Sequence, residues 1–547
     1  MRFNFMRQHH TEAPLKSAML PLALLLACGV ILGCQRQPAE EMPAGGDNKD
    51  PIVTTTSGAL RGIDLDSGAA AFKGIPYAAA PIGERRWREP GAARSWSDIR
   101  DARQFGPSCA QRLAGWNDLY VAASSEDCLF VNVWTPKLQA AAGLPVMVWI
   151  HGGGNQGGSS VGLSGPEPSF DGEDLAKNGV VVVSLNYRLG ILGFFAHPEL
   201  TAESAHGSSG NYGLLDQVAA LQWIRKNIAA FGGDPDNVTL FGQSAGAHDI
   251  SLLMVSPIAQ GLFHKAIAQS GTVSNNGRVT PTLAMMEASG KSLAASMNAP
   301  DAGAIENLRA LPVDDLLAAF SEHREQSGRL EPNIDGQVIL ALPAWSYAAG
   351  QQQAVPLLIG NTARERQLSE ISELATMVED FYAELASRAL EIYAVAGPRT
   401  EQAYAPHGDG GAQYRTDTGF RCGGLLQAGR HSAKAPTWYY EFSHAYEPRG
   451  ASHTWDVQYV FGNLRPEANK PVDGKVSATV QTYWTNFATS GNPNSEAVPE
   501  WPRFGSTGPY LDLTSDGPIV KPALRTEACD LFAEKVDLDI ASRLAER

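Results

Sequence analysis

Ser244, inside Gly242-Gln243-Ser244-Ala245-Gly246, is the residue whose surroundings in the chain best suit a nucleophile. A G-x-S-x-G of this kind holds a serine on a sharp strand-to-helix turn, where glycines let other backbone approach and the hydroxyl stands clear for attack. The pentapeptide alone arises often by chance. Here it closes the segment FGGDPDNVTLFGQSAG (231–246), in which the apolar run VTLF (238–241) leads into the turn and an apolar, helix-like stretch follows. A serine hydroxyl is a poor nucleophile near neutral pH, so acyl transfer also requires a base and a carboxylate that orients it. The negative oxygen that forms requires donors as well. His151-Gly152-Gly153-Gly154 follows another apolar run, ending at Ile150, and glycines there leave backbone N–H groups able to face an oxyanion. A phosphate cradle is the rival reading of such a run, but it would want a lysine and a following helix, and neither is present.

These residues need a frame. The runs VMVWI (146–150), VVVVSL (180–185) and VTLF (238–241) read as strands buried on both faces, the pattern of a parallel sheet covered by helices. Between the last two, residues 214–230 carry Leu214, Val218, Leu221, Ile224 and Ile228 at near-helical spacing, which predicts a crossover helix. LLI (357–359) and WYYEF (438–442) read as further strands, and residues 280–331 as helical structure capping or flanking the sheet. Such alternation predicts a doubly wound α/β sheet with its active site at the strand C-terminal ends. At 547 residues the length alone would allow three or four domains, but no internal linker, repeat or low-complexity tract is visible, so one large catalytic domain is expected over 51–547.

The first 34 residues stand apart. Arg2, Arg7 and Lys16 precede an apolar run, 17–33, that ends in Ile31-Leu32-Gly33-Cys34. This resembles a bacterial lipoprotein signal, in which Cys34 is lipidated and becomes the mature N-terminus. An ordinary secretory signal and an uncleaved anchor are the alternatives. Residues 35–50 read as a flexible tether. The expected location is therefore the cell envelope, lipid-anchored, or the periplasm or exterior. A formal charge of −15 argues against nucleic acid or an anionic membrane surface as a partner. Cys28 and Cys34 fall in the leader, leaving Cys109, Cys128, Cys422 and Cys529, which could pair in three ways. No C-x-x-C or Cys/His cluster suggests a metal site.

Further motifs occur in order: FKGIPYAAAPIGERRW (72–87), EDCLFVNVWTP (126–136), NYRLGILGF (186–194), FHKAIAQSG (263–271) and NFATSGNPN (486–494). With the serine segment and the HGGG they make the chain resemble the type-B carboxylesterases, cholinesterase-like α/β-hydrolases, over about residues 52–532. The resemblance implies an α/β-hydrolase fold, with a large, mostly parallel central sheet flanked by helices and carrying helical cap insertions. It also implies hydrolysis of a small-molecule carboxylic ester through an acyl-enzyme, without a cofactor. The family's base precedes an aromatic-rich V-F-G, which here points to His453 before Val460-Phe461-Gly462; His444 and His248 are rivals read as structural. The family's acid lies in a G-x-N-x-D-E-G loop. Gly360-Asn361-Thr362-Ala363-Arg364-Glu365-Arg366 puts Glu365 at that place, with arginines replacing its acidic and glycine neighbours, and Asp335 is the competing acid. By the same resemblance Gly153, Gly154 and Ala245 donate to the oxyanion, Cys109 pairs with Cys128, and Cys422 with Cys529.

Departures from the family bear on substrate. Cholinesterases carry a glutamate before the nucleophile where this chain has Gln243, which removes a negative charge that would favour a cationic substrate. Trp116, in a shorter Cys109–Cys128 loop, is not equated with their choline-stacking tryptophan. Asn155-Gln156 replaces the aromatic that commonly follows the glycines, which predicts a roomier or more polar acyl side. The expectation is a general or polar-ester carboxylesterase. A non-catalytic adhesion protein on the same fold is the alternative from another class, and an amidase or thioesterase using the same triad is the alternative among enzymes.

Overall fold

The computed structural model describes residues 50–545 except 140–141, 163–168, 275–279, 301, 328–329, 369–370, 394–405, 447–449, 469 and 506. The leader, Cys34 and nearly all of the tether lie outside the described residues. Eleven strands build one sheet: β1 (Ile63–Asp64), β2 (Ala70–Pro76), β3 (Phe130–Thr135), β4 (Leu144–Ile150), β5 (Val181–Leu185), β6 (Gly233–Gln243), β7 (Lys265–Gln269), β8 (Leu357–Thr362), β9 (Thr437–Phe442), β10 (Tyr510–Thr514) and β11 (Gly517–Lys521). Across the sheet they run β11-β10-β9-β8-β7-β6-β4-β5-β3-β2-β1. Neighbours from β5 through β10 are parallel, and the strands at both ends pair antiparallel.

The continuous apolar runs are explained by two cores. Along β4, Val146, Val148 and Ile150 point into one core while Met147 and Trp149 point into the other. Side chains alternate across a strand, so a strand covered on both faces needs no polar positions. The first core is closed by α1 (Tyr212–Asn227), through Leu214, Val218, Leu221 and Ile224. α2 (Ala245–Leu253) follows Ser244, and α3 (Leu283–Ser296), α4 (Ala304–Ala310) and α5 (Val313–Ser327) make the helical stretch expected over 280–331. After α6 (Cys422–Ser432), α7 (Pro471–Ser490) covers the second core with Val480, Tyr483, Trp484 and Phe487, and α8 (Thr526–Ala545) ends the described chain.

Two local differences from the sequence reading have physical causes. The crossover helix was expected to reach residue 230, but its α part stops at Asn227 and a 3₁₀ turn, Ile228–Phe231, follows. Gly232, at φ 89°, then turns the chain away. The hairpin β10–β11 and the strands β1–β3 are not legible as strands in the sequence; β10 is an ordinary buried run, but β11 has two of its five residues exposed and none buried. Cys109–Cys128 and Cys422–Cys529 are both disulfides, with Cα separations of 4.8 and 4.7 Å. Among the described residues no helix is long and apolar enough to cross a membrane.

Candidate active site

Strand register brings the chemistry to one level. Gly242 pairs with Ile150 on one side and Ala268 on the other; Ala268 pairs with Ile359, and Ile359 with Tyr439. The segments leaving β4, β6, β8 and β9 at that rung therefore carry the glycine run, Ser244, Glu365 and His453 to the same edge of the sheet.

Ser244 sits at φ 58°, ψ −120°, a conformation that L-residues adopt only when their surroundings impose it. Those surroundings are tight. A Cβ on Gly246 would fall 2.0 Å from the Ile150 carbonyl oxygen, one on Gly271 would fall 2.2 Å from the Ser244 carbonyl oxygen, and one on Gly152 would fall 3.0 Å from Ser244 Cβ. Glycine at these positions lets the strand end, the elbow and the HGGG run lie in contact, which accounts for three of the sequence motifs together. The Ser244 N–H donates to the Gln269 carbonyl at 2.8 Å, fixing the turn to β7.

Ser244 Oγ lies 2.9 Å from His453 Nε2, and His453 Nδ1 lies 2.5 Å from Glu365 Oε2. A carboxylate accepts, so the tautomer that donates from Nδ1 to Glu365 leaves Nε2 to accept the serine proton. Glu365 is buried, and its other oxygen accepts the Thr362 N–H at 2.8 Å. Its own N–H donates to Thr416 Oγ1 at 3.1 Å, and the His453 N–H donates to its carbonyl at 3.0 Å. Phe420 packs on the imidazole at 4.7 Å between ring centroids, and the exposed Arg366 lies 5.8 Å from the Phe420 ring. Arg364 is buried instead, against Gly408 and Gly450. Thr416 and Phe420 flank or occupy a π-helical turn, Asp417–Arg421, that runs into α6.

The rival residues are elsewhere occupied. His248 Nδ1 meets the Thr272 carbonyl at 2.7 Å. His444 is fully buried between Ser515 and Asp473. Asp335 Oδ1 accepts the N–H groups of Gln337, Val338 and Ile339, closing a turn.

On the oxyanion side, Gly153 and Gly154 have φ of 109° and 66°, a backbone path that a side chain would strain. Ala245 opens α2, so its N–H belongs to the first turn and has no carbonyl within the helix to meet. Burial lowers His151 to about 4, so the ring is neutral, and its Nδ1 meets the Gly152 carbonyl at 2.8 Å. Trp116 reaches over this run, since a Cβ on Gly153 would come 3.2 Å from its Cη2. Gln243 is fully buried, and its amide nitrogen lies 3.2 and 3.4 Å from the two ring nitrogens of His453. The glutamine thus stands beside the relay as a neutral group.

The polar half of one expectation, a roomier or more polar acyl side, is corrected. Asn155 does not give the acyl side a polar lining: it is 3% exposed, its Nδ2 donates to Asp249 Oδ1 at 2.9 Å, and its Oδ1 accepts from the Tyr187 hydroxyl at 3.0 Å. The amide is consumed by the protein's own buried polar groups. Gln156 likewise donates to the Leu330 carbonyl at 2.8 Å. Sequence reasoning missed Thr416, Phe420, Asp249 and the fully buried Asp456, whose carboxylate accepts from Gln269 and Tyr440. An acid within the apolar stretch AGAHDISLL was a signal that something inside would have to receive it.

Residues 49–532 match the model of the Carboxylesterase family. The chain is 36% identical to a fumonisin B1 esterase of Sphingopyxis macrogoltabida, over 87% of this chain and 89% of that protein. It is 37% identical to a para-nitrobenzyl esterase of Bacillus subtilis, over 83% and 92%. Among solved structures, a thermophilic PNB esterase superposes with a TM-score of 0.76 at 34% identity, covering 88% of this chain and all of that one.

Proposed function

The chain belongs to the carboxylesterase family and is a carboxylic-ester hydrolase, and from that premise we propose which residues do the work and on what class of ester. Ser244 attacks the ester carbonyl, and His453 takes its proton and returns it to the leaving alcohol. Glu365 holds His453 in the required tautomer and stabilises the imidazolium. Gly153, Gly154 and Ala245 donate to the oxyanion, and water then releases the acyl group by the same steps in reverse. The observation that carries this reading is the continuous relay from Ser244 through His453 to Glu365, at 2.9 and 2.5 Å, on a serine held at the elbow.

The substrates we infer are uncharged or polar aryl and alkyl esters rather than choline esters. The neutral Gln243 beside His453 supports this, since no carboxylate at that position draws a cation inward. So do the relatives named for para-nitrobenzyl and fumonisin B1 ester cleavage. We further propose export and attachment to a membrane through a lipid on Cys34, which the leader's pattern and the two disulfides support.

The purified chain is assayed on aryl, short-chain, long-chain, choline and polycarboxylate esters, with Ser244→Ala as control. The expected outcome is turnover of phenyl acetate well above that of acetylcholine, abolished in the variant. Hydrolysis that survives Ser244→Ala would overturn the residue assignment, and comparable turnover of the two esters would overturn the substrate class. Membrane release by Cys34→Ser tests the anchor.

A further inference from the structure

Asp249 lies five residues after Ser244, on the helix that leaves the nucleophile, and is fully buried. Both of its oxygens accept from neutral amides: Oδ1 from Asn155 Nδ2 at 2.9 Å, Oδ2 from Gln217 Nε2 on α1 at 2.7 Å. No ion pair among the described residues includes it. A buried carboxylate met only by amides costs stability, so its placement is not explained by holding the fold together.

What it holds is specific. Asn155 immediately follows Gly154 and stands at φ 58°, a left-handed conformation. Its carbonyl accepts the Gly190 N–H at 2.7 Å, and its side chain is gripped from both ends by Asp249 and Tyr187. The Tyr187 hydroxyl also lies 2.8 Å from the His151 carbonyl, so its single proton is shared between the beginning of the glycine run and its end. The run spans two anchors, and one of them is carried by the nucleophile's own helix.

We infer that Asp249 is a positioning residue for acyl transfer: through its hydrogen bond to Asn155 it fixes the glycine run against the Ser244 elbow. The inference rests on the triad reading above. Asp249 touches no substrate and acts only through the loop. Gln217 Oε1 has no partner among the described residues. An amide turn there lets an asparagine at 249 accept from Asn155 and donate to Gln217, so Asp249→Asn can rebuild the anchor.

The test uses the full chain and para-nitrophenyl acetate, with Asn155→Ala, Asp249→Ala, Asp249→Asn and the double alanine variant. Read out are kcat, KM, inhibition by an aryl trifluoromethyl ketone, whose adduct with serine carries the oxyanion, and Tm. Asn155→Ala and Asp249→Ala are expected to lower kcat by about 10- to 100-fold, the scale of a small misplacement of catalytic groups. KM should stay within about twofold, ketone affinity should fall in parallel with kcat, and the double variant should lose no more than either single one. Asp249→Asn should recover most of the loss. If Asp249→Ala does not fold, Asn155→Ala alone decides the matter. Alanine variants that change Tm while keeping kcat and ketone affinity would overturn the inference, as would an Asp249→Asn variant as impaired as Asp249→Ala. If Ser244→Ala leaves hydrolysis intact, the triad reading fails instead, and the two failures are told apart.

Discussion

Buried carboxylates support both sides of the relay, and their surroundings are opposite. On the serine side, Asp249 meets only Asn155 and Gln217 among the described residues, and burial raises its carboxyl to about 7 against the donation of those amides. On the histidine side, Glu441 is equally buried, but Arg421 lies 2.7 Å away and His407 2.8 Å, and they hold it down to about 2 despite the burial. Arg421 also pairs with Asp417 at 2.5 Å and donates to the Ala363 carbonyl, beside the loop that carries Glu365. The protein thus supports its general base with compensated charge and its oxyanion run with an uncompensated one. The first arrangement resists acid; the second costs stability as pH rises.

The largest expected effect tests whether the two sides nevertheless act as a unit. Ser244→Ala and His453→Ala should each cost on the order of 10⁶-fold in kcat, and the double variant no more than either, measured on para-nitrophenyl acetate. Additive losses would show that the sides work separately. Next, Arg421→Met removes the buried cation shared by Glu441 and Asp417, leaving them His407 and Arg525 respectively, and should destabilise by about 3 kcal/mol, read by denaturant unfolding. Gly153→Ala, with its new Cβ 1.9 Å from the Gly157 carbonyl oxygen, should displace the oxyanion run and lower kcat by roughly 10²- to 10³-fold. Its Tm should change less than that of Arg421→Met.

The smallest effect sharpens the contrast. Burial pushes the Asp249 carboxyl up to about 7 in the folded chain, against about 3.9 for an unfolded one. Between those values the native state holds more protons, so stability falls as pH rises from about 4 to about 7 and is not lost further above. Asp249→Asn removes that fall. Its unfolding free energy relative to wild type should therefore improve across this window, by roughly 1–2 kcal/mol once relaxation is allowed for, with Tm rising in step. Glu441 has the reverse sign: its contribution is present above its unfolded value and is lost as pH falls toward 2. A Tm difference that stays flat from pH 4 to 7 would erase the contrast.

Much of this site was legible in the sequence because it is written in short, contiguous stretches. The glycines around Ser244 and the HGGG run answer local demands of backbone approach, and the continuous apolar runs of β4, β5 and β6 answer two-sided burial. Glu365 and His453 came from family resemblance, and the structure brings both to the serine. The supports were not legible because their logic is long-range: Thr416 meets Glu365 across 51 residues, and Asn155 meets Asp249 across 94. Asn155 misled for the same reason. An amide after the glycines reads as a pocket lining until its buried partner, two strands away in the chain, is known. Edge strands such as β11 escaped because an exposed strand has no burial pattern to display.

The Cys422–Cys529 bond has a consequence for the order in which the enzyme is made. Cys422 directly follows the turn that presents Phe420 to His453, and its partner stands 107 residues later, in the final helix. Synthesis proceeds from the N-terminus, so the residues of the serine elbow and the glycine run are made long before that helix emerges. The base's side can be covalently closed only after the 107 residues between the two cysteines have been made and an oxidant met. Translation therefore delivers the nucleophile first and the bond that secures its partner's surroundings later.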